Sequence, residues 1–380
     1  MLLVLNIGSS SIKFALFHAK EAIVASVGYW SFANNQLVVD GIKYPFSDTA
    51  GTDKLLVLLE YLQRLNPSYL APEAIIHRVV HGGNIYTGIT EINDAVLQDL
   101  EQFSSFAPLH QPIALAAIHV LRQKFPTIRQ YACFDTAFHH HQPRLNRLFA
   151  LPLAMEEQGI VRYGFHGLSY GYITGQLQQL VTNYAQQRWI IAHLGSGASV
   201  CGLKNGKSFA SSMGFSALDG LMMGTRCGRL DAGVLLHLLR AGWDVKQLEQ
   251  LLYKESGLQG ISGISGDMQI LQQSSVPNAA LAVELFIERL VEEIGLMVAK
   301  LNGVDGLIFT GGIGEHSASI RAQTVARLGW LGATLDEEAN KERRMRIDSA
   351  SSLVSLWCMA TNEEQQMAEE YKKWISQLSI

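Results

Sequence analysis

The chain contains three places where a short hydrophobic stretch runs directly into a turn of glycine and serine. These turns cover residues 6–11, 195–199 and 311–314. Glycine lets a backbone approach a phosphate closely, and successive N–H groups in such a turn form a concave anion site. A single turn of this kind says little. Three of them, each at the end of a predicted buried strand, favour a nucleotide-binding α/β protein with two lobes.

Two of these turns suggest an internal duplication. Placing IGSSSI (residues 7–12) over LGSGAS (residues 194–199) gives an offset of 187 residues, about half of the 380-residue chain. Self-similarity at a fixed offset is the sequence signature of a repeated structural unit. No linker or low-complexity stretch separates the halves. We therefore expect two lobes built by duplication that pack closely.

Hydrophobic periodicity predicts the elements of both halves. Alternating or continuous apolar runs bounded by turn residues predict strands over 2–6, 12–17, 74–80, 129–134, 189–194, 199–203 and 307–310. Apolar residues at helical spacing predict helices over 54–65, 112–124, 228–240, 279–301 and 363–378. Strands and helices thus recur in both halves, which is typical of an α/β protein.

Charge and composition exclude several classes of partner. The formal net charge is −4 and the isoelectric point is about 6.3, so the chain lacks the basic field that binds nucleic acid. No uncharged apolar run is long enough to span a bilayer, and the first residues lack the basic region of a signal peptide. The four cysteines are far apart in sequence, which fits reduced thiols. We expect a cytoplasmic protein without a nucleic-acid or membrane partner.

Two tempting motifs are better explained as ordinary loops. GLKNGKS (residues 202–208) is one residue short of a Walker A loop and lies in a predicted hairpin, so we interpret it as a plain turn. The run of histidines at residues 139–141 suggests a metal site. Consecutive residues on a regular element cannot all face one centre, so we predict a solvated loop there.

The turns and the segments between them resemble the acetate kinase family, which belongs to the actin, sugar-kinase and chaperone-ATPase fold group. The resemblance runs through almost the whole chain, in the segments LNIGSSSIKF, HRVVHGG, FAPLHQP, CFDTAFH, RYGFHGLSY, IIAHLGSGAS, SMGFSALDGLMMGTRCG, GISGISGDM, FTGGIGEHS and TNEE. It implies a duplicated, two-lobed actin-like (ribonuclease H-like) ATPase fold with a cleft between the lobes. It also implies a homodimer. The resemblance implies an N-terminal lobe of residues 1–145 with 365–380 on the acyl and phosphate side. It implies a C-terminal lobe of residues 146–364 on the nucleotide side.

The resemblance implies reversible transfer of the ATP γ-phosphoryl group to acetate by in-line displacement, giving acetyl phosphate and ADP, with Mg²⁺ or Mn²⁺. A carboxylate is already ionised at neutral pH and needs no general base, so positioning and charge neutralisation would carry the reaction. The alternatives are a propionate kinase, or a non-catalytic or chaperone-like ATPase relative. The partners would be ATP and a small carboxylate, acetate or propionate.

Residues that match the family's motifs are expected in four roles. The catalytic set is Arg78, His110, Asp135, His166 and Arg226. The acyl pocket is Arg78, Val80, Leu109, Phe165 and Ala217. The nucleotide set is Ser9, Lys13, His193, Gly195, Ser196, Gly197, Asp267, Gly311, Gly312 and Gly314. The metal set is Asn6 and Glu363. Thr361 and Glu364 fit a capping box for the last helix, which would leave only Glu363 available for the metal.

Three positions depart from the family's pattern. Ser196 stands where the family commonly has asparagine, and because its side chain is shorter we expect the phosphate contact to be lost or made through water. Gln269 stands where arginine is common, which removes a cation from the nucleotide site. Ala217 replaces a proline of the acyl pocket, which removes about two carbons of wall. We expect weaker nucleotide binding and better acceptance of propionate.

Overall fold

The chain folds into two compact units, here described one at a time. The computed structural model describes residues 1–8, 11–18, 21–32, 35–45, 54–65 and 72–378. Unit 1 consists of Met1–Phe138 with Asn362–Ile380, and unit 2 consists of His139–Thr361.

Within its described residues, unit 1 forms a sheet of eight strands in the order β5-β4-β3-β2-β1-β6-β8-β7. The strands are β1 Leu2–Ile7, β2 Ser11–His18, β3 Ile23–Ser31, β4 Gln36–Val39, β5 Ile42–Pro45, β6 Ala74–Val79, β7 Thr90–Glu91 and β8 Arg129–Phe134. Its helices are α1 Lys54–Leu65, α2 Asp94–Gln102, α3 Gln111–Lys124 and, from the end of the chain, α15 Glu363–Leu378.

Unit 2 forms, within the residues described, a sheet of five strands in the order β11-β10-β9-β12-β13. The strands are β9 Trp189–Leu194, β10 Ala198–Lys204, β11 Lys207–Ser211, β12 Gly306–Thr310 and β13 Ser355–Cys358. The helices are α4 Arg144–Arg147, α5 Ala154–Glu157, α6 Gly167–Leu180, α7 Ala232–Arg240, α8 Val245–Lys254, α9 Gly257–Ser262, α10 Met268–Gln273, α11 Pro277–Leu301, α12 Gly311–His316, α13 Ala318–Arg327 and α14 Glu337–Lys341.

The two sheets share one topology. In unit 1 the order β3-β2-β1-β6-β8 has antiparallel pairs β3/β2 and β2/β1 followed by parallel pairs β1/β6 and β6/β8. In unit 2 the order β11-β10-β9-β12-β13 has the same sequence of antiparallel and parallel pairs. A five-stranded core is therefore built twice, as the repeated turn predicts.

The strand registers refine the predicted offset. In β1 and β2, Ile7 pairs with Ile12, so four residues separate this pair in the sequence. In β9 and β10, Leu194 pairs with Ala198, so the second turn holds residues 195–197 and is one residue shorter. The offset of 187 therefore applies to the first strand of each unit and drops to 186 in the second strand.

The same registers show which residues occupy equivalent positions in the two units. Leu5 pairs with His77 in unit 1, and Ala192 pairs with Phe309 in unit 2. One residue further along each strand, Asn6 corresponds to His193 and Arg78 to Thr310. The parallel pairs His77 with Ala132 and Phe309 with Cys358 extend this to the last strand, where Asp135 corresponds to Thr361.

Helix α15 is anchored on the sheet of unit 1 by its apolar face. Met367, Ala368 and Tyr371 are buried, and the rings of Tyr371 and Trp374 meet Tyr131 edge to face at centroid distances of 5.1 and 5.0 Å. Residues four apart on a helix share one face, so this packing fixes the first turn of α15 as well. That turn carries two glutamates.

One predicted helix begins later than expected. The spacing predicts a helix over 228–240, but α7 begins at Ala232, and the Asp231 side chain accepts a hydrogen bond from the Gly233 N–H at 2.7 Å. Gly228 has a φ of 73°, a left-handed conformation that does not continue a helix. In the part of the chain that the structure describes, every helix is too short or too polar to cross a lipid bilayer.

The Walker-like segment is a hairpin turn, as predicted. It joins β10 to β11, and its central residues Asn205 and Gly206 have φ values of 54° and 67°. Two consecutive positive φ angles are typical of the tight turn that matches the twist of a hairpin.

Candidate active site

In unit 1, three predicted site residues meet where the parallel strands end. Arg78, in β6, donates to both carboxylate oxygens of Asp135, from Nε at 3.0 Å and from Nη2 at 2.6 Å. Arg78 Nη1 donates to the amide oxygen of Asn6 at 3.0 Å. The bidentate pair fixes the plane of the guanidinium as well as its position.

The first turn of α15 adds two carboxylates to this cluster. Asn6 Nδ2 donates to Glu363 Oε2 and to Glu364 Oε1, both at 3.0 Å, and Arg78 Nη1 lies 3.6 Å from Glu363 Oε2. The capping box predicted for Glu364 is wrong. The Gln365 N–H donates to the Asn362 side chain at 2.9 Å, so Asn362 caps the helix and Glu364 faces the cluster.

The cluster carries one guanidinium and three carboxylates, which leaves an excess of negative charge. Burial raises the pKa of Asp135, against the opposing charge of Arg78, and Glu363 raises it further. Burial lowers the pKa of Arg78, but the charges of Asp135 and Glu363 outweigh it and the pKa of Arg78 is raised. The arginine therefore stays charged and organises the carboxylates around it.

The HGG turn after β6 is held by a residue that sequence reasoning missed. Gln111 is fully buried; its amide oxygen accepts from the His81 N–H at 3.1 Å, and its NH₂ group donates to the His81 carbonyl at 3.0 Å. Burial lowers the pKa of His81 to about 3. Val80 in this turn is buried, and Leu109 and His110, just before α3, are half-buried.

In unit 2, two predicted histidines lie side by side. The rings of His166 and His193 stack with centroids 4.4 Å apart. His166 Nδ1 is 2.8 Å from Ser199 Oγ, and His193 Nδ1 is 2.8 Å from Ser169 Oγ. Each ring is thus held through its Nδ1 atom. Tyr170, buried and 2.5 Å from Ser199 Oγ, extends the chain of hydroxyls.

The glycine turn of unit 2 lies against His166 and Arg226. A Cβ placed on Gly197 would be 3.2 Å from His166 Nε2 and 3.5 Å from Arg226 Nη2, so glycine keeps this approach open. Arg226 Nη1 donates to the Ala217 carbonyl at 2.7 Å. Four predicted residues from three separate segments are therefore in one place.

The prediction of a solvated loop at residues 139–141 is wrong for its first member. His139 is buried, with Nε2 2.9 Å from the Phe165 carbonyl and Nδ1 2.8 Å from Ser208 Oγ. Burial lowers its pKa to about 4. His139 supports the segment that carries His166, whereas His140 and His141 are exposed as expected.

A cavity of about 570 Å³ in unit 2 brings together a third set. Gly195, Ser196, Asp267 and Gly312 from the predicted nucleotide set line it, together with others that include Gln269, Gln272, Ile313, His316, Ser317 and Arg343. A different cavity, of about 460 Å³, lies beside Arg122 and Arg129 in unit 1 and contains none of the predicted residues.

Some predicted nucleotide residues have other surroundings. A Cβ on Gly311, whose φ is 77°, would lie 2.8 Å from the Leu194 carbonyl, so this glycine lets the start of α12 approach β9. Gly314 is buried in the same contact. Lys13 is exposed on β2. Ser9 lies outside the described residues.

Comparison with known proteins decides the family. Residues 1–369 match the Acetokinase family. The chain belongs to the Acetokinase family. It is 44% identical to the acetate kinase of Rhodopseudomonas palustris strain TIE-1, over 97% of this chain and 96% of that protein.

Two solved structures of the Acetokinase family share this fold. A propionate kinase from Francisella tularensis has a TM-score of 0.90 and 34% identity, covering 97% of this chain and 98% of its own. The acetate kinase of Porphyromonas gingivalis has a TM-score of 0.84 and 32% identity, covering 98% and 99%. The predicted family and duplicated α/β fold are confirmed.

The described residues of this Acetokinase chain contain no cluster of three or more histidine, cysteine or acidic side chains poised around one metal point. A magnesium ion does not require one, because it usually takes one or two protein carboxylates together with waters and substrate phosphates. The two glutamates of α15, which share the amide of Asn6, fit that donor set. Glu364 is therefore the metal-site candidate that the sequence reasoning missed, and its only sequence signal is its position beside Glu363.

Proposed function

We propose that the chain transfers the γ-phosphoryl group of ATP to acetate in a reversible, in-line reaction whose chemistry is divided between the two units. The family makes it a kinase that phosphorylates acetate with ATP. The observation that carries the division is that the charged cluster lies in unit 1, whereas the glycine turn and its histidines lie in unit 2. We further propose that these units correspond to the predicted acyl and nucleotide lobes, 1–145 with 365–380 and 146–364.

In unit 1 the proposed substrate is the carboxylate. Three of the five N–H groups of Arg78 are bonded to Asp135 and Asn6, which leaves two for an acyl carboxylate. Val80 and Leu109 are the predicted acyl-pocket residues that belong to unit 1, whereas Phe165 and Ala217 belong to unit 2. Asp135 acts by orienting Arg78, because an ionised carboxylate gives up no proton on phosphorylation.

In unit 2 the proposed ligand is the nucleotide. His166 Nε2 and Arg226 face the Gly197 turn, where they would donate to the transferring phosphoryl group and neutralise charge in the transition state. His193, stacked on His166, lies beside the same turn. Ser196, Asp267 and Gly312 would contact ATP in the adjoining cavity.

We propose Glu363 and Glu364 as the carboxylates that hold Mg²⁺. When bound, the ion would neutralise phosphate charge and orient the phosphates for transfer. In this structure Asn6 turns its NH₂ group toward both glutamates and its oxygen toward Arg78. It therefore orients the carboxylates, and would become a ligand itself only if Oδ1 left Arg78.

The experiment that tests the proposal traps acyl phosphate as hydroxamate, with ATP, Mg²⁺, and acetate, propionate or butyrate in parallel. We expect acetate to lead. Arg226→Ala should abolish product, whereas Arg289→Ala, which removes an exposed arginine paired with Glu292, should not. No hydroxamate from any acid, in folded protein that binds ATP, would favour the non-catalytic or chaperone-like alternative. Retained activity in Arg226→Ala would overturn the site assignment.

Propionate is the second proposed substrate, and Ala217 is the observation that favours it. Its carbonyl is fixed by Arg226, so its methyl group stands where a proline ring would reach further. A buried methylene contributes about 0.8 kcal/mol. The propionate-to-acetate ratio of kcat/KM should therefore be several-fold higher in the natural chain than in Ala217→Pro. A ratio in the natural chain that is equal to or lower than the ratio in Ala217→Pro would contradict this proposal.

We also propose a homodimer, with a second copy covering helix α7. The helix reads AGVLLHLLR, and in this structure none of its side chains is buried. Leu236 and Leu239 are exposed, as is the nearby Val245, and such a contiguous apolar surface marks an interaction site. Leu236→Glu should shift the mass seen by light scattering from dimer to monomer. Leu145→Glu, at an exposed leucine in α4, should leave it unchanged.

The proposed location is the cytoplasm. The four cysteines are unbonded in the structure, as is usual for proteins in a reducing compartment.

A further inference from the structure

Among its described lining residues, the proposed nucleotide cavity of unit 2 carries a single permanent cation. Among the described residues that line it, Arg343 is the only lysine or arginine, while Gln269 and Gln272 are neutral and Asp267 is acidic. ATP offers several negative charges and a flat aromatic base. Arginine can meet either, because its guanidinium is always charged and stacks on aromatic faces.

The backbone at Arg343 is unusual for a residue with a long side chain. Helix α14 ends at Lys341 with Glu342 as its cap, and Arg343 follows with a φ of 56°. Its N–H donates to the Asn340 carbonyl at 3.2 Å. This position after a helix usually holds glycine, because a Cβ is disfavoured there. The chain has arginine instead, with Nη1 2.8 Å from His316 Nδ1.

A buried arginine joins the two helices behind this pair. Arg321, fully buried in α13, donates to the Gly314 and Glu315 carbonyls of α12 at 2.8 and 2.9 Å. It also donates to the side-chain and backbone oxygens of Asn340 in α14, both at 2.7 Å. The helix that carries His316 and the turn that carries Arg343 are thus held together, so the pair is positioned before any ligand binds.

The position of the pair along the cavity indicates which part of a nucleotide it would meet. Helix α12 starts against β9, where Gly311 approaches the Leu194 carbonyl beside the Gly195 turn. His316 closes the other end of this six-residue helix, about 8 Å away at the usual helical rise. Phosphates at the glycine turn would therefore place the base toward His316 and Arg343.

We propose that Arg343, held against His316, is a nucleotide-binding residue whose guanidinium packs on the purine base. This rests on the proposed function, in which ATP occupies the cavity of unit 2. Arg343 supplies the charged plane that the neutral Gln269 cannot.

The test compares Arg343→Ala with Arg344→Ala. Arg344 is the neighbouring arginine, pairs with Glu342 at 2.6 Å, and does not line the cavity. We expect Arg343→Ala to raise the KM for ATP about three- to tenfold, the range of a cation over an aromatic ring, while the KM for acetate stays within about twofold. Arg344→Ala should leave both constants unchanged.

A second measurement separates a base contact from a phosphate contact. The Kd for ADP, measured by calorimetry, should rise in Arg343→Ala, while the inhibition constant of tripolyphosphate, which has no base, stays the same. An equal rise in both constants overturns the base contact. If the KM for ATP of Arg343→Ala equals that of Arg344→Ala, the role of Arg343 is overturned. The proposed kinase function is not affected by that outcome. Absence of hydroxamate with the natural chain would instead refute the proposed function.

Discussion

The two units build the same five-stranded core and place very different side chains at the ends of its strands. In unit 1, Asn6, Arg78 and Asp135 occupy those ends and bond to one another. The equivalent positions in unit 2 are His193, Thr310 and Thr361. The hydroxyl oxygens of both threonines are buried without a hydrogen-bond partner among the described residues.

The difference shows how a duplicated fold can divide a reaction. Strand ends that carry an arginine and carboxylates can hold a substrate anion and a metal. In unit 2 the two threonine strand ends carry no charge, and Glu315 accepts the N–H groups of Gly311 and Thr361 at 3.0 and 3.2 Å. The shared topology sets where chemistry can be placed, and the local side chains decide which chemistry it is.

The largest expected effect on activity comes from replacing the residues at the ends of the middle strands, Arg78 in unit 1 and Thr310 in unit 2. Arg78→Ala should lower kcat/KM for acetate by about 10³-fold, because it removes a fixed charge at the reacting groups. Thr310→Val, at the equivalent position, should lower it less than about tenfold, because valine has nearly the same shape. Steady-state kinetics on variants with natural circular dichroism would check both. Comparable losses would break the proposed division.

The next comparison is between the residues at the ends of the first strands, Asn6 in β1 and His193 in β9. Asn6→Ala should raise the Mg²⁺ concentration for half-maximal activity about tenfold, since it removes the group that orients both glutamates. His193→Ala should instead raise the KM for ATP. Titrating Mg²⁺ at saturating ATP, and ATP at saturating Mg²⁺, separates the two. Identical profiles for both variants would contradict the assignment of metal to unit 1.

A smaller effect is expected at Glu364, where the structure differs from the sequence prediction. Glu364→Gln should reduce activity several-fold at limiting Mg²⁺ and recover at high Mg²⁺, because a carboxylate of the cluster is lost. Glutamine serves as well as glutamate in a capping box. Unchanged Mg²⁺ dependence in Glu364→Gln would remove Glu364 from the proposed metal site.

The smallest difference between the units is expected in how much folding stability each one loses at acidic pH. Burial lowers the pKa of His77 in unit 1 and of His139 in unit 2 to about 4. Below pH 6.5 these two histidines bind protons in the unfolded chain but stay neutral in the folded one. The free energy of unfolding therefore falls as the pH drops toward 4. Each ring should account for about 2 kcal/mol at pH 5.

Urea unfolding at pH 7.5 and pH 5 would measure this loss. His77→Gln and His139→Gln should each weaken the pH dependence by a similar amount, whatever their effect at neutral pH. His141→Gln, at an exposed histidine, serves as the control. A pH dependence unchanged by either buried variant would show that other groups titrate.

The sequence predicted the repeated core well, because strands that end in glycine turns are a local pattern. The third predicted turn, residues 311–314, is wrong, since these residues begin helix α12. The predicted strand over 189–194 and the helices over 54–65 and 363–378 match the observed bounds. The helix over 228–240 failed at its start because Asp231 caps α7 there. Its apolar spacing continues upstream of the cap and so gave no warning.

The site residues likewise divide into those that a local sequence pattern could predict and those that it could not. Residues in recognisable segments, such as Arg78, His166 and Arg226, could be named from sequence, and the structure places each beside other predicted residues. Glu364, Gln111 and Arg343 could not. Their positions depend on a cap at Asn362, a buried amide beside His81 and a left-handed turn after α14.

The sequence by itself determined the family, the duplicated core and most residues of both clusters, because these depend on local spacing and on segments that keep their order. Only the tertiary structure decided which side chains share an environment. In the structure Glu364 accepts from Asn6, His139 is buried, and Arg343 is paired with His316. The physical reason is that burial and hydrogen-bond partners are set by chain segments far apart in sequence, which no local pattern records.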